Sequence, residues 1–578
     1  MPRYPQPQQN DEPLRADLDA FFVGVDNRQD RNALPAGVAA EAVNMRFDRN
    51  YAATRPGTCS PLFCNKISHA DDHPVFEWIS LLKTAGVFSD PNGSEWILVA
   101  NAGQVWRCGE GRQPQHLPLI DNGSVDYDDG NTFVQCFEQV ILFRGADLPA
   151  LLWNGQPQKP LRPIVGSMGR PRAAFLSPTP QADWGVVMAD RLFVPISRDE
   201  LAYSDLLDPT AFDLSTATVR FNSGEDDSLV GAAPYQGSRL AVFKTQSIYM
   251  LNNVGGDMSQ ISVDRLPTRI GCLARRSIAE IGTDLIWLAQ GGVYRLSQTD
   301  QGAVRSEPIP ASWAIEGTMQ RINWRAASNA CGVVAGRYYY LAVPLDGSDT
   351  NNAVLVYDVQ TGQWQGYDEI LVASTGEIAQ IKALVVSNLW GRRVPFAVTA
   401  DYVIALDAGG YCDSAGQGEL DVNSLQEPVR WRLETRGYPL GGIGHKQLAS
   451  TRLVYATQGA TVNLDISTGG PNASRAILTN QTRDRTKYTR WGMPRFSLDN
   501  AGDDFADPHR EDYQWQAGDA VTCQSGIPLN VFQEFDQGLA ARLNGRYFSL
   551  AVHGSGGMRI KGVESEGRGE TANLKIKS

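Results

Sequence analysis

The sequence predicts an all-β protein built around a β-propeller, and three observations predict it. One supersecondary phrase recurs: an apolar strand, a turn, then a second short strand ending in an aromatic or β-branched residue. Trp96-Ile97-Leu98-Val99-Ala100-Asn101-Ala102-Gly103 leads into Val105-Trp106-Arg107, and Leu285-Ile286-Trp287-Leu288-Ala289-Gln290-Gly291-Gly292 leads into Val293-Tyr294-Arg295. With Trp106, Trp153, Tyr203, Tyr249, Tyr294, Tyr357 and Ile404 as markers, the successive spacings are 47, 50, 46, 45, 63 and 47 residues. A four-stranded blade takes about 40–50 residues. Finally, the apolar runs are continuous or alternating, whereas a helical solenoid needs a spacing of 3.6. Seven blades are expected, with six as the alternative because the first and third copies are degenerate. The one long interval falls where Asp346-Gly347-Ser348-Asp349-Thr350-Asn351-Asn352 reads as an extended hairpin loop.

Taken in order, residues 1–20 are Pro- and Gln-rich with little apolar content and read as a flexible or partner-bound arm. Residues 21–69 place short β-runs around Gly and Pro turns and form an N-terminal β segment. The propeller occupies 70–415. After Asp413-Ser414-Ala415-Gly416-Gln417-Gly418, read as a small-residue linker, the period stops. Residues 416–578 still read as β. Phe548, Leu550 and Val552 alternate with Ser549 and Ala551, then Gly554-Ser555-Gly556-Gly557 turns into Met558-Arg559-Ile560. Alternation of this kind marks half-buried antiparallel strands, so a C-terminal β-sandwich is expected.

The chain has 578 residues, 42% hydrophobic and 20% charged, enough to bury large cores in more than one domain. No stretch approaches the roughly 18 consecutive apolar residues of a membrane span. The first fifteen residues lack the apolar core of a secretory signal, so no export and no membrane span are expected. The eight cysteines are scattered, with only Cys59 and Cys64 close together; neither a zinc site nor a disulfide scaffold fits, and reduced, buried thiols are expected. Net charge is −12, which opposes a tight nucleic-acid binder, because phosphate affinity rests on Lys and Arg. It suits a wall past which DNA slides.

Signatures of catalysis are missing: no G-x-S-x-G, H-E-x-x-H, P-loop or complete G-x-G-x-x-G occurs. No catalytic, cofactor-binding or metal-ligating residue is therefore assigned, no cofactor is expected, and the protein is read as a non-enzyme. His69 and His73 stand at i and i+4, but Asp71, Asp72 and Pro74 place them in a loop. Ser89-Asp90-Pro91-Asn92-Gly93-Ser94 loosely resembles an Asp-box hairpin, with its carboxylate misplaced, and reads as a turn. The clusters Asp126, Asp128 and Asp129, Glu225, Asp226 and Asp227, and Asp503, Asp504 and Asp507 miss the calcium-loop pattern and read as solvated turns. Arg483, Arg485, Lys487 and Arg490, interleaved with Tyr488 and Trp491, read as a solvated sheet face or turn, or else as a surface contacting phosphate or a partner.

Gly336-Arg337-Tyr338-Tyr339-Tyr340-Leu341-Ala342-Val343-Pro344, with Asn351 to Asp358 and Gly362-Gln363-Trp364, resembles the tail nozzle, or packaged-DNA stabilisation, proteins of short-tailed double-stranded DNA bacteriophages. Leu34-Pro35-Ala36-Gly37, Ala42-Val43-Asn44 and Arg55-Pro56-Gly57 look like their N-terminal segment, and Gly545-Arg546-Tyr547-Phe548 with Arg559 to Glu564 like their C-terminal strands. The resemblance implies a virion tail protein, assembled in the host cytoplasm. It implies a homo-oligomeric ring, a hexamer, that extends the DNA conduit below portal and adaptor and contacts tail fibres or spikes. Its contact with genomic DNA in the lumen would be weak and transient. The alternative is a propeller that binds or cleaves host glycans, which requires an acid/base pair of carboxylates; no such pair stands out.

Overall fold

A computed structural model of the chain describes residues 14–59, 84–119, 131–164, 176–413, 427–438, 446–482 and 533–569, with short breaks inside these ranges. The described residues are nearly all β, and helix among them is confined to short turns such as Glu316–Met319. Five four-stranded sheets, spanning 84–117, 132–163, 186–220, 229–265 and 279–306, follow one another as blades 1 to 5. A three-stranded sheet at 383–405 is blade 7. The position between them, blade 6, is filled by the four strands Cys331–Ala335, Tyr338–Val343, Ala353–Asp358 and Gln363–Asp368, which are also one end of a 14-stranded sheet. The propeller thus has six self-standing blades and a seventh that belongs to the large sheet.

The seven sequence markers all fall on the third strand of a blade, from Trp106 in Gln104–Gly109 to Ile404 in Val403–Ala405. Each adjoining pair of blades encloses its own apolar core. Ile97, Val99 and Trp106 meet Val385 and Phe396 between blades 1 and 7, and Phe243 meets Trp287 between blades 4 and 5. Because strands alternate their side chains, one blade feeds two such cores, one on each face. The 63-residue interval has two sources: the 344–352 loop, as expected, and the single-turn helical segment from Trp313–Ile315 to Ala327–Asn329, which carries no sequence signal of its own.

Chain closure uses the N-terminal segment. Cys59 and Ala405 exchange backbone hydrogen bonds of 3.1 and 2.8 Å, so the chain just ahead of blade 1 extends the last strand of blade 7. Pairing at the point of ring closure is how a propeller protects a sheet edge.

The large sheet continues from Gln363–Asp368 of blade 6 through Val38–Val43, Arg430–Thr435, Ser549–Gly569 and Lys446–Ser467 to Ser474–Thr482. The described C-terminal strands thus form one curled sheet continuous with blade 6, where sequence alternation suggested a separate β-sandwich. Strands as long as Lys446–Ser467 pair with Gln533–Gly545 along one half and Ser474–Thr482 along the other, so one strand serves two regions. Leu14–Asp19, assigned from composition to the flexible arm, is a strand paired with Ser549–Gly569. Its Leu-Arg-Ala-Asp-Leu-Asp alternation has the period of an edge strand, which the Pro- and Gln-rich neighbourhood obscured.

Candidate functional site

The N-terminal segment at 44–58 meets blades 6 and 7 at one seam, and two buried arginines hold it. Arg55 and Asp413 are each 1% exposed. The five N–H donors of Arg55 all find acceptors: Nε donates to Asn44 Oδ1 (2.9 Å), Nη1 to Asp413 Oδ1 (2.9 Å) and Pro56 O (3.0 Å), and Nη2 to Asp413 Oδ2 (2.6 Å) and Glu369 O (3.1 Å). Thr58 Oγ1 donates to the same carboxylate. Arg46 donates from Nη1 and Nη2 to Asp368 (2.8 and 2.6 Å) and from Nη2 to Asp407 at 3.3 Å, while Tyr340 donates its hydroxyl to Asp407. Burial alone would lower both guanidinium pKa values, yet the facing carboxylates raise them, that of Arg46 well above its ordinary value.

The local backbone is shaped for this. Asn44, at φ +56°, donates Nδ2 to Arg430 O at 2.6 Å and offers Oδ1 to both Arg55 and the amide of Glu369. Asn is among the residues that tolerate left-handed backbone. Gly57 admits no side chain, since a Cβ there would lie 2.0 Å from Cys412 O.

Two clefts flank the seam. The first, about 390 Å³, is lined by Arg46, Arg337, Arg392, Arg393 and Arg559, by Tyr51, Tyr338, Tyr340 and Tyr411, and by only two carboxylates, Asp48 and Asp407. The second, about 710 Å³, lies on the polar face of the large sheet. There Tyr367, Val43, Arg432, His553 and Asn463 form one in-register row across five strands. Glu41, Glu369 and Asp465 complete its lining. Burial raises the Glu369 carboxyl above its ordinary value, against the lowering effect of Arg321. A raised folded-state pKa favours the folded state while the group is protonated; that contribution is complete below the ordinary glutamate value and is lost as pH rises through the folded value. Glu369→Gln should therefore flatten the acid side of the stability curve and gain on the parent chain toward neutral pH. Unfolding free energies of both chains across that range check it, and parallel curves would refute it.

The acidic clusters are structural where they are described. Asp227 is buried and accepts from Thr245 Oγ1, the Gln246 amide and Ser247 Oγ, closing a hairpin, and exposed Asp226 pairs with Arg198 at 3.8 Å. Asp90 accepts from the Asn92 amide at 2.9 Å and Gly93 has φ +83°, which is the expected turn. Glu225, His69, His73, Asp126, Asp128, Asp129, Asp503, Asp504, Asp507 and Arg483 to Arg490 lie outside the described residues. Among the described residues no group of three or more His, Cys, Asp or Glu is placed to hold a metal ion, and no helix is long and apolar enough to cross a membrane. Cys59, Cys108, Cys136, Cys272, Cys331 and Cys412 are buried, and burial pushes Cys108 and Cys136 up to about 12.

Sequence reasoning missed the carboxylate half of the seam. Asp413 was read as the start of a linker, and Asp368 and Asp407 carry no motif. The signal available was Arg55-Pro56-Gly57, a charged residue beside two backbone-restricting ones.

Fold and seam together define a β-propeller protein whose described N-terminal and C-terminal strands share one curled sheet with blade 6. No family model matches the chain, and no curated protein does. Among solved structures it is similar to a catalytically inactive virginiamycin B lyase from Staphylococcus aureus crystallised with quinupristin, at 10% identity over 57% of this chain and 95% of that one, TM-score 0.33. It is also similar to Sqt1 of Saccharomyces cerevisiae (10% identity, 57% and 96% of the two chains, TM-score 0.36). A third is the extracellular domain of a one component system of B. thetaiotaomicron (11% identity, 80% and 60%, TM-score 0.35).

Proposed function

We propose that this chain is a structural subunit of a short-tailed phage tail, forming a nozzle ring that extends the DNA conduit and guides genome release. The observation that supports this reading is convergence at the seam. The phrases that carry the family resemblance lie far apart in sequence. Ala42-Val43-Asn44, Arg55-Pro56-Gly57, the Tyr338–Val343 strand and the Arg559-Ile560 pair nonetheless meet around one buried ionic junction. A buried junction of this kind, in which every Arg55 donor is met, fixes geometry, as a load-transmitting ring requires. In a hexameric ring the balance of −12 per chain would lie partly on the inner wall and keep the duplex centred by repulsion over a Debye length of about 8 Å.

Two measurements test this. Class-averaged electron micrographs of the purified chain, alone and with adaptor, should show rings with a central hole; monodisperse single propellers under both conditions would overturn the ring. Titration with linear duplex DNA should give affinity no tighter than roughly 10⁻⁴ M; sub-micromolar binding with a steep salt slope would point to a DNA-gripping role. A glycan-binding or glycan-cleaving tail protein is the second reading, favoured by the carboxylate- and tyrosine-lined cleft at Glu41, Glu369, Asp465 and Tyr367. Turnover of a host-surface polysaccharide, lost on Glu369→Gln, would decide for it.

A further inference from the structure

The 390 Å³ cleft at the seam is built from four separate pieces of chain. Arg46, Asp48 and Tyr51 come from the N-terminal hairpin, Arg337, Tyr338 and Tyr340 from blade 6, Arg392 and Arg393 from the first turn of blade 7, and Arg559 from the long C-terminal strand. Five guanidinium groups against two carboxylates make the wall cationic. Three of the arginines are held from outside the wall: Arg46 by Asp368, Arg337 by Asp358, and Arg393 by Glu95 at 2.8 Å. Anchoring fixes the forks before any ligand arrives, which lowers the ordering cost of binding.

Arg392 differs from the rest. It is exposed, it follows Gly391 (φ +73°) at the tip of a hairpin, and among the described residues no hydrogen bond or ion pair engages its side chain. Buried Arg46, although its terminal nitrogens are engaged, keeps an Nε–H without an acceptor. A buried donor left unmade is costly, and an anion in the cleft is the kind of group that would relieve it. The tyrosines add flat faces already used by cations: Arg337 and Arg46 lie 5.2 and 5.6 Å from the Tyr338 ring centroid, and Arg559 lies 5.4 Å from that of Tyr51. Guanidinium forks match the geometry of phosphate oxygens, and aromatic faces take bases or sugar rings. A cleft of 390 Å³ is at the small end of ligand pockets, sized for a mononucleotide-like molecule and far too narrow for a duplex.

We propose that this cleft binds a small phosphomonoester carrying a ring, its phosphate on Arg392 and Arg337 and its ring against Tyr338 or Tyr51. The site is independent of whether the chain assembles as a tail ring.

The experiment is calorimetric titration of the full chain with inorganic phosphate, with dAMP, and with a short oligothymidine lacking a terminal phosphate. Saturable binding of dAMP at one site per chain, tighter than that of phosphate alone and weakened by added salt, is expected. Arg392→Ala should weaken dAMP by about tenfold, the share of one charge-assisted contact, without changing the melting temperature of the free protein. Arg392→Lys should restore part of the loss. Absence of saturable dAMP binding, or equal affinity in Arg392→Ala, overturns the proposal. Oligothymidine that outcompetes dAMP overturns it as well, because the site would then read phosphodiester backbone.

Discussion

Arg55→Met should cost about 3–5 kcal/mol, the range for removing one partner of a buried ion pair. Asp413 would be left at 1% exposure with, among the described residues, Thr58 Oγ1 and the Leu371 amide as the remaining donors to its side chain. Asn44 Oδ1, Pro56 O and Glu369 O would each lose a donor. The double change Arg55→Met with Asp413→Leu should recover part of this, since no charge is then stranded, but not all, since the three backbone and amide acceptors remain short of a partner. Urea unfolding of parent, single and double variants measures the difference. A single variant within about 1 kcal/mol of the parent, the median worth of an exposed pair, would mean the seam is solvated and does not hold the chain ends.

The seam also marks where reading the sequence stops. Blade count and period were legible because each blade repeats the same local demand, a strand apolar enough to face two cores. Seven markers therefore sat on seven third strands even where Tyr203 and Tyr294 are only half-buried. Carboxylate identity at the seam was illegible for the opposite reason. Asp368, Asp407 and Asp413 stand at strand ends or turns without any motif, and the partners brought in from residues 44–58, with Tyr340 at Asp407, distinguish them from solvated aspartates. The same holds for the C-terminal sheet. Alternation in 549–552 correctly announced half-buried strands, but it is blind to which sheet they join, and the single parallel pairing of Tyr367 with Val43 that fuses blade 6 to the large sheet leaves no trace in periodicity. Arg55-Pro56-Gly57 was visible as a phrase, and its meaning became physical once Gly57 was seen pressed against Cys412 O.

Trp106→Asp should prevent the propeller from closing. Trp106 lies at 9% exposure in the core between blades 1 and 7, packed with Val385, Phe396 and Ala405, and this is the joint where Cys59 bridges to Ala405 of blade 7. Truncating a buried Trp costs about 3–5 kcal/mol through lost contacts and the cavity left behind. A carboxylate in that cavity adds a desolvation penalty of at least about 1–3 kcal/mol, whether it stays ionised or takes up a proton. The sum, about 4–8 kcal/mol, equals the lower half of the roughly 5–15 kcal/mol that holds a domain together, so insoluble or unfolded protein is the expected result. Size and charge can be separated by Trp106→Phe. The Trp106 indole N–H has no acceptor in this core, so phenylalanine removes an unmet donor while keeping an aromatic ring, and a loss of about 1 kcal/mol is expected. Circular dichroism melts of the two variants beside the parent give the answer. A soluble Trp106→Asp chain that melts within a few degrees of the parent would show that blades 1 and 7 do not pack through this residue, and the closed ring would fall with it.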